Sequence, residues 1–334
     1  AIKQRFLHYL KNKNSTSKKS GRFAGIFMKP LAFSKSGKFW RGNLHTHSNC
    51  SDGLLSPDDL CQRYKDEGYN FLVISDHFVG LYNYPVTEPS DFYDPEFITI
   101  LGAELHSGST ENGEIWHILA VGLPKDFSPT NSPNFIPNDN QETGPEIAKR
   151  SVEAGAFVTI AHPQWSGLTL ADARSIKSAH AVEVYNHGCA VSTDRPDGFH
   201  TLDLLLAEGR KLNLVATDDA HFTDPDYFGG WVMVKSNENS PDSILESLKE
   251  GAFYSSQGPD LEDIEVETGS VAVHSTPVST VIIQGQGSAY VVQHGKLLVS
   301  TQLSLERLKK SPWLRVTVID HDGKRAWSNP IWRH

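Results

Sequence analysis

Residues 71–77 read FLVISDH, a continuous run of apolar residues followed at once by two side chains that can carry chemistry. A parallel strand that is covered on both faces is apolar throughout its length, whereas a half-exposed strand alternates. This stretch therefore predicts a buried parallel strand with Asp76 and His77 at its end.

Similar apolar runs recur along the first two thirds of the chain, at residues 98–101, 115–121, 157–161, 182–185 and 212–216. Segments with helical spacing lie among them, at residues 56–68, 143–155, 199–209 and 241–251. The first of these segments starts with Ser56 as a helix cap and Pro57 in the first turn. Strands that alternate with helices predict β/α units and a parallel sheet.

The pattern changes after about residue 260, where short strand-like runs separated by turns replace the alternation. These runs lie at residues 264–266, 271–274, 281–283, 290–292, 297–299 and 314–319. Turn pairs such as Asp322-Gly323 favour antiparallel hairpins. We therefore expect three parts: a basic N-terminal extension (1–38), an α/β domain (39–260) and a small antiparallel β appendage (261–334).

Composition narrows the class of protein. The 334 residues are 38% hydrophobic and 21% charged, as expected for a water-soluble globular chain, and no apolar run is long enough to cross a membrane. The three cysteines, Cys50, Cys61 and Cys189, are too few and too scattered for a disulfide framework. A reducing, cytoplasmic location is the default expectation.

Charge is distributed unevenly along the chain. The net charge of −9 argues against general affinity for nucleic acid. Residues 1–51 nevertheless contain no Asp or Glu and are rich in Lys and Arg. We interpret this start as a surface extension, with a targeting segment or a nucleic-acid-binding arm as alternatives. The sequence leaves the oligomeric state open.

Residues 43–53, NLHTHSNCSDG, contain two histidines two residues apart and an aspartate five residues later. In an extended segment residues i and i+2 point to the same side. His45 and His47 would thus direct both imidazoles at one point, with Asp52 nearby, which suits a metal ion. A polar turn that happens to be rich in histidine is the alternative.

The other predicted strands end in the same kinds of side chain. Asp76-His77, Glu104, His162 and Asp218-Asp219-Ala220-His221 follow apolar runs, and His117 lies within one. In a parallel β/α barrel the strand ends and the following loops at one face build the active site. We therefore expect these side chains to converge on one mouth.

Taken in order, these motifs resemble the PHP superfamily, named for its polymerase and histidinol phosphatase members. The resemblance covers roughly residues 40–225, and residues 251–259 (GAFYSSQGP) and 327–331 (WSNPI) are similar to its carbaryl-hydrolase-like (CehA/McbA-like) branch. It implies a distorted (β/α)7 TIM-like barrel that holds two or three divalent ions at the strand ends. The C-terminal β appendage would be added to this barrel.

The resemblance also implies a ligand set. His45, His47, Glu104 and Asp219 would hold the first ion. Glu104 would bridge to a second ion held by His117 and His162, and Asp52, His77 and His221 would complete a third site. Imidazole and carboxylate together suit Zn²⁺, Mn²⁺ or Fe²⁺, among which the sequence does not choose.

This metal chemistry implies hydrolysis. A water shared by two cations loses its proton near neutral pH and can attack phosphorus or a carbonyl carbon. The leaving oxygen then needs a proton or a third cation. His221, with Asp52 beside it, is the candidate for that step, and a third ion is the alternative.

Several other residues near the predicted mouth are candidates for supporting roles. We expect Asp76 to brace a neighbouring histidine, Asp218 to orient a ligand or to cap a strand end, and Glu183 to be satisfied by backbone. Candidate substrate contacts are Asn186, His187, His106, the aromatic wall residue Trp165, and Arg195 as an anion clamp.

The predicted activity is hydrolysis of a small phosphoester. A phosphodiester is favoured over a monoester because Arg195 is the single loop cation near the mouth. A carbamate or carboxylic ester hydrolase on the same metal centre is the alternative, favoured by the aromatic candidates. A non-catalytic metal-binding interaction module is a second alternative, against which the complete ligand set argues.

Overall fold

The computed structural model describes residues 28–138, 140 and 142–333, so most of the predicted basic extension lies outside the described residues. The helices are α1 (Leu31–Ser34), α2 (Pro57–Asp66), α3 (Gly144–Glu153), α4 (Leu170–Ser175), α5 (His187–Thr193), α6 (Phe199–Ala207) and α7 (Pro241–Glu250). The four predicted helices are confirmed as α2, α3, α6 and α7. Across the described ranges, no helix is both long and apolar enough to cross a membrane.

The strands of the first part are β1 (Lys38–Asn43), β2 (Phe71–Ile74), β3 (His77–Phe78), β4 (Ile98–Leu105), β5 (Ile118–Val121), β6 (Phe157–Ile160), β7 (Ala181–Asn186), β8 (Asn213–Thr217), β9 (Trp231–Ser236) and β10 (Phe253–Ser256). Those of the second part are β11 (Leu261–Val266), β12 (Ser270–Gln284), β13 (Tyr290–Ser304), β14 (Trp313–Ile319), β15 (Arg325–Ser328) and β16 (Ile331–Trp332).

The large sheet confirms the α/β class, but it is not a closed barrel. Its order in the first part is β10-β9-β1-β2-β4-β5-β6-β7-β8, and β8 ends the path. The antiparallel strand β9 occupies the edge of β1 that would otherwise be available to β8. In the described chain, an isolated parallel bridge between Thr46 and Ala220 joins the segments that follow β1 and β8.

One strand runs against the expected direction. β5 is antiparallel to both β4 and β6, whereas the sequence predicted a parallel strand at 115–121. The strand also begins only at Ile118. His117 therefore precedes β5 instead of lying within it, and the reversal brings this histidine to the edge where the parallel strands end.

The second part is antiparallel, as predicted, but its strands are longer and continue the same sheet. β12 has 15 residues and joins two predicted runs, with register shifts around Pro277. β15 pairs with β10, so the sheet passes from one part to the other without a break. The buried Arg315 of β14 also reaches α6, where Nη1 donates to Asp203 Oδ1 over 2.6 Å.

The pairing of β1 with β2 leaves no room for a side chain at Gly42. A Cβ atom there would lie 2.2 Å from the ring of Phe71, its fully buried partner across the two strands. We expect Gly42→Ala to lower the free energy of unfolding by about 1–3 kcal/mol, because the ring must move within a packed core. Urea unfolding measures this. Gly269→Ala, which meets no atom within 4 Å, should change stability little; equal effects at both positions would contradict the packing argument.

Candidate metal centre

The segments that follow β1 and β8 are joined by backbone hydrogen bonds that bring the first group of side chains together. His47 N donates to Ala220 O and Asp219 N donates to His45 O, each over 2.9 Å. Asp219 adopts a left-handed conformation, with φ of 56°. Both histidines are fully buried, and their rings lie 5.3 Å apart.

Four of these side chains surround one point. Asp219 Oδ1 lies 3.2 Å from His45 Nε2 and 3.0 Å from His47 Nε2. Glu104 Oε2 lies 3.6 Å from each of the same two nitrogens. His45 Nε2 is buried without a hydrogen-bond partner in the described chain, and Glu104 Oε2, which it faces, lies 2.7 Å from His77 Nδ1. A buried ring nitrogen that lacks a partner and faces two carboxylate oxygens fits a cation, so the donor set suits the divalent ion that the sequence predicts.

Glu104 also faces a second pair of histidines with its other oxygen. Oε1 lies 2.7 Å from His117 Nδ1 and 3.0 Å from His162 Nε2, and these three side chains form another group with metal-ligand spacing. Because the two oxygens of one carboxylate serve two groups, Glu104 has the geometry of a bridging ligand.

A third group lies nearer to solvent. Asp52 Oδ2 is 3.4 Å from His77 Nε2, and Asp52 Oδ1 is 3.4 Å from His221 Nε2. His47 completes this group, whose ligand atoms all lie within 4.8 Å of one another. Together the three groups contain all nine of the predicted ligands: His45, His47, Asp52, His77, Glu104, His117, His162, Asp219 and His221. Their role as ligands remains a prediction.

The buried ionisable side chains of the cluster shift one another's pKa values strongly. Burial disfavours the charged form of Glu104, but the surrounding imidazoles outweigh it and hold the carboxyl pKa well below its usual range. Burial, reinforced by His77 and His221, lowers the pKa of His47 to about 4. For His77 burial is outweighed by Glu104 and Asp52, which raise the pKa to about 10. Asp52 likewise outweighs burial at His221 and raises that pKa to about 9.

Glu183 differs from the sequence prediction, which had it satisfied by backbone. It accepts one backbone hydrogen bond, from His162 N over 2.6 Å, but its other donors are side chains. They include His45 Nδ1 over 2.9 Å and Asn186 Nδ2 over 3.0 Å. Sequence reasoning missed this link because the donors are distant along the chain, and an acidic residue inside an apolar strand was the available sign.

Asp76 and Asp218, which were expected to support the site, stabilise loops. Asp76 does not brace a histidine as predicted. It accepts from Ser48 N over 2.7 Å and from the hydroxyls of Ser48 and Ser51, each over 2.6 Å. Asp218 accepts from Tyr64 OH over 2.7 Å and from the backbone N–H groups of residues 228–230. It thus anchors the loop before β9, which is closer to the capping role than to ligand orientation.

Two further histidines have different surroundings. His106 was considered as a substrate contact, but it is fully buried, with Nε2 2.9 Å from His77 Nδ1. Its neighbourhood with His77 and Glu104 also has metal-ligand spacing, which the sequence did not predict. His187 pairs with Tyr185 OH over 2.9 Å and packs against Gly229.

Two adjoining cavities open over the cluster. The first, about 370 Å³, is lined by Asp52, His77, Glu104, Glu114, Ile115, His117, Phe135, His162, Trp165, Asp219 and His221. The second, about 420 Å³, shares Glu114, Ile115, His117 and Trp165 with the first and extends to Arg195. Trp165 and Arg195 therefore lie where a substrate contact is expected, whereas neither cavity is lined by Asn186 or His187.

No family model and no curated protein matches the chain. Among solved structures it is similar to a two-domain protein from Bacteroides vulgatus that contains a predicted PHP-like metal-dependent phosphoesterase. The identity is 13%, over 91% of this chain and 96% of that one, with a TM-score of 0.48. An amidohydrolase from Chromobacterium violaceum with bound sulfate is 14% identical over 54% of this chain and 87% of its own, with a TM-score of 0.36. Likeness at this level leaves the family unassigned.

Binding of a metal ion at the third group, which contains Asp52, His77 and His221, should release protons. With pKa values of about 10 and 9, His77 and His221 hold protons at pH 7, and each must lose its proton to coordinate an ion. Affinity should therefore rise with pH up to about 10. Calorimetric titration of Zn²⁺ into metal-depleted protein at pH 7, in buffers of different ionisation enthalpy, should report release of about two protons for the ion bound at this group. His221→Gln should release about one fewer; heats that do not depend on the buffer would contradict the prediction.

Proposed function

We propose that this protein is a metal-dependent hydrolase that cleaves phosphodiester bonds in a small substrate. The main support for this proposal is the position of Glu104. Its carboxylate is fully buried, and its two oxygens face two different sets of histidines. Such a carboxylate suits two divalent ions at the spacing used in two-metal hydrolysis. The nine residues of the three groups are the proposed ligands, for two or three ions of Mn, Zn or Fe.

Divalent ions held there would lower the pKa of a water molecule and neutralise charge on the phosphoryl oxygens. The protein's own contribution begins with the orientation of the ligands. His45 Nδ1 is hydrogen-bonded to Glu183 and His162 Nδ1 to Ser166 Oγ, each over 2.9 Å, so Nε2 of each ring is directed at the cluster.

Proton transfer belongs to the solvent side of the cluster. The side chains of His221 and Asp52 are 25% and 39% exposed, whereas Glu104 is fully buried. His221 Nδ1 is 3.0 Å from Asp219 O, which leaves Nε2 facing Asp52 and the cavity. With two ions bound at the inner groups, this pair is positioned to give a proton to the leaving oxygen at a place where it can be replaced from water. A third ion held by Asp52, His77 and His221 would take that role instead.

The lining of the cavities favours a diester over a monoester. Among the described residues that line them, Arg195 is the one arginine and there is no lysine. A phosphomonoester dianion calls for several cationic side chains beside the metals, whereas a diester carries a single negative charge. The diester therefore suits the charge of this site better.

An aryl carbamate or carboxylic ester is the second candidate. Trp165, Phe135 and Ile115 give the metal cavity an apolar and partly aromatic wall. Such a wall suits an aryl leaving group, and hydrolysis of a carbonyl also passes through an oxyanion that cations stabilise. The metal cluster serves both reactions, so the substrate must be decided by experiment.

Hydrolysis of bis(p-nitrophenyl) phosphate and of 1-naphthyl methylcarbamate by Mn²⁺- or Zn²⁺-loaded protein decides between the two. We expect diester turnover, and a loss of more than about 100-fold in His47→Ala, which exceeds the usual cost of removing an outer-shell partner. His187→Ala, a change of a histidine that lines neither cavity, should retain activity.

Turnover of the carbamate alone would move the protein to the second candidate. Loss of activity in both histidine variants would point to general destabilisation instead of loss of a ligand. No turnover of either substrate by metal-loaded protein would refute both hydrolase candidates in these forms and leave a metal-binding module.

The second cavity should bind the substituent of a diester that is not the leaving group. The ring of Trp165 meets His117 and His162 edge-on, at centroid distances of 5.3 and 4.9 Å, and also lines both cavities. We expect Trp165→Ala to lower kcat/KM for bis(p-nitrophenyl) phosphate roughly 10-fold, as loss of one aromatic contact predicts.

Methyl p-nitrophenyl phosphate is the matched control substrate, because its methyl group is too small to use the second cavity. Its kcat/KM should change little in Trp165→Ala, and Trp165→Phe should recover most of the diaryl activity. An equal loss with both substrates would show that Trp165 supports the histidines and does not contact the substrate.

A further inference from the structure

Glu183 is a carboxylate in the middle of β7, where the strand is buried on both sides. Its side chain is fully withdrawn from water, which is costly for an ionised group unless hydrogen bonds compensate. β7 lies between β6, which leads to His162, and β8, which leads to Asp219. Glu183 therefore occupies the strand between two that deliver proposed ligands.

Each oxygen of Glu183 accepts two hydrogen bonds. Oε1 accepts from His45 Nδ1 over 2.9 Å and from the Thr217 hydroxyl. Oε2 accepts from His162 N over 2.6 Å and from Asn186 Nδ2 over 3.0 Å. A carboxylate is the only side-chain group of this size that accepts at both ends, since an amide would direct its own N–H₂ at two of the donors.

The same network reaches a third ligand through Asn186. Its Nδ2 donates to Asp219 Oδ2 as well as to Glu183 Oε2, each over 3.0 Å. Its Oδ1 accepts from Cys189 N over 2.8 Å, which caps α5 and fixes the orientation of the amide. One carboxylate thus contacts His45 directly, holds the backbone of His162, and is linked to Asp219 by a single side chain.

We propose that Glu183 is a positioning residue, which holds His45, His162 and Asp219 in the arrangement that binds the divalent ions. The inference rests on the metal-binding part of the proposed function and not on the identity of the substrate. The hydrogen bond to Nδ1 directs Nε2 of His45 at the ion and increases its basicity. The bonds to His162 N and Asn186 fix the other two ligands relative to it.

The test is Co²⁺ binding by metal-depleted protein, followed by calorimetry and by the visible absorption of the bound ion. We expect Glu183→Gln to bind the tightest ion about 10–100-fold more weakly and to change the Co²⁺ spectrum, because the ligands lose their orientation. Glu183→Asp, which keeps the charge and all acceptors, should recover part of the affinity.

Asp172→Asn is the matched control. Asp172 is also a buried carboxylate, and it accepts hydrogen bonds from Glu111 N and Thr169 N, but it lines neither of the two cavities over the cluster. Thermal unfolding in the presence of chelator measures the structural cost of both changes. A positioning role predicts that Asp172→Asn retains its Co²⁺ affinity and spectrum even if it loses similar stability.

The outcomes separate the two proposals. Wild-type affinity and spectrum in Glu183→Gln, or an equal loss of affinity in Asp172→Asn, would overturn the positioning role. If Glu183→Gln does not fold, Thr217→Val removes one donor and keeps the carboxylate, and a several-fold loss of affinity is then expected; unchanged affinity would overturn the proposal. If the wild-type protein binds Co²⁺ but hydrolyses no ester, the proposed hydrolase activity is refuted and the positioning role of Glu183 is not. If it binds no divalent ion, both proposals are refuted.

Discussion

The burial of one carboxylate constrains the whole site. Glu104 has no exposed surface, and an ionised group removed from water must be compensated by positive charge or by hydrogen bonds. Its surroundings supply imidazoles from several different segments, all within 3.6 Å: His45, His47, His77, His106, His117 and His162. The strand order makes this convergence possible, because it brings the ends of parallel strands and the start of the reversed strand β5 to one edge.

Three other buried carboxylates near this centre support different parts of the structure. Asp76 holds the turn that follows His47, and Asp218 holds the loop that leads into β9. Both make their hydrogen bonds to hydroxyls and backbone N–H groups, so they stabilise loops without competing for an ion. Glu183 instead contacts a proposed ligand. The direction of each carboxylate's hydrogen bonds, more than its distance from the cluster, therefore distinguishes loop support from ligand support.

The sequence predicted which side chains cluster better than it predicted the sheet that carries them. Patterns such as His45-Thr46-His47 and Ser75-Asp76-His77 end apolar runs, and side chains at such ends meet whether or not the sheet closes. The predicted direction of β5 was wrong because the apolar pattern of a buried strand is the same in either direction. β12 was divided into two runs because Pro277 interrupts the alternation, which the strand accommodates with register shifts. Glu183 and His106 were misread because their partners are distant along the chain.

The cluster has two chemically different sides. On the inner side, His45, His47 and Glu104 are fully buried, and burial together with neighbouring imidazoles keeps His47 neutral, with its pKa lowered to about 4. On the outer side, Asp52 and His221 are partly exposed, and Asp52 raises the pKa of His221 against the effect of burial. A neutral, buried imidazole such as that of His47 suits a fixed cation, because it binds the ion without first losing a proton. His45 differs, since Asp219, Glu183 and Glu104 outweigh burial and raise its pKa. Partly exposed groups that carry protons suit exchange with water. The cluster thus joins a fully buried inner side to an outer side that can exchange protons with water, a separation that the proposed hydrolysis would use.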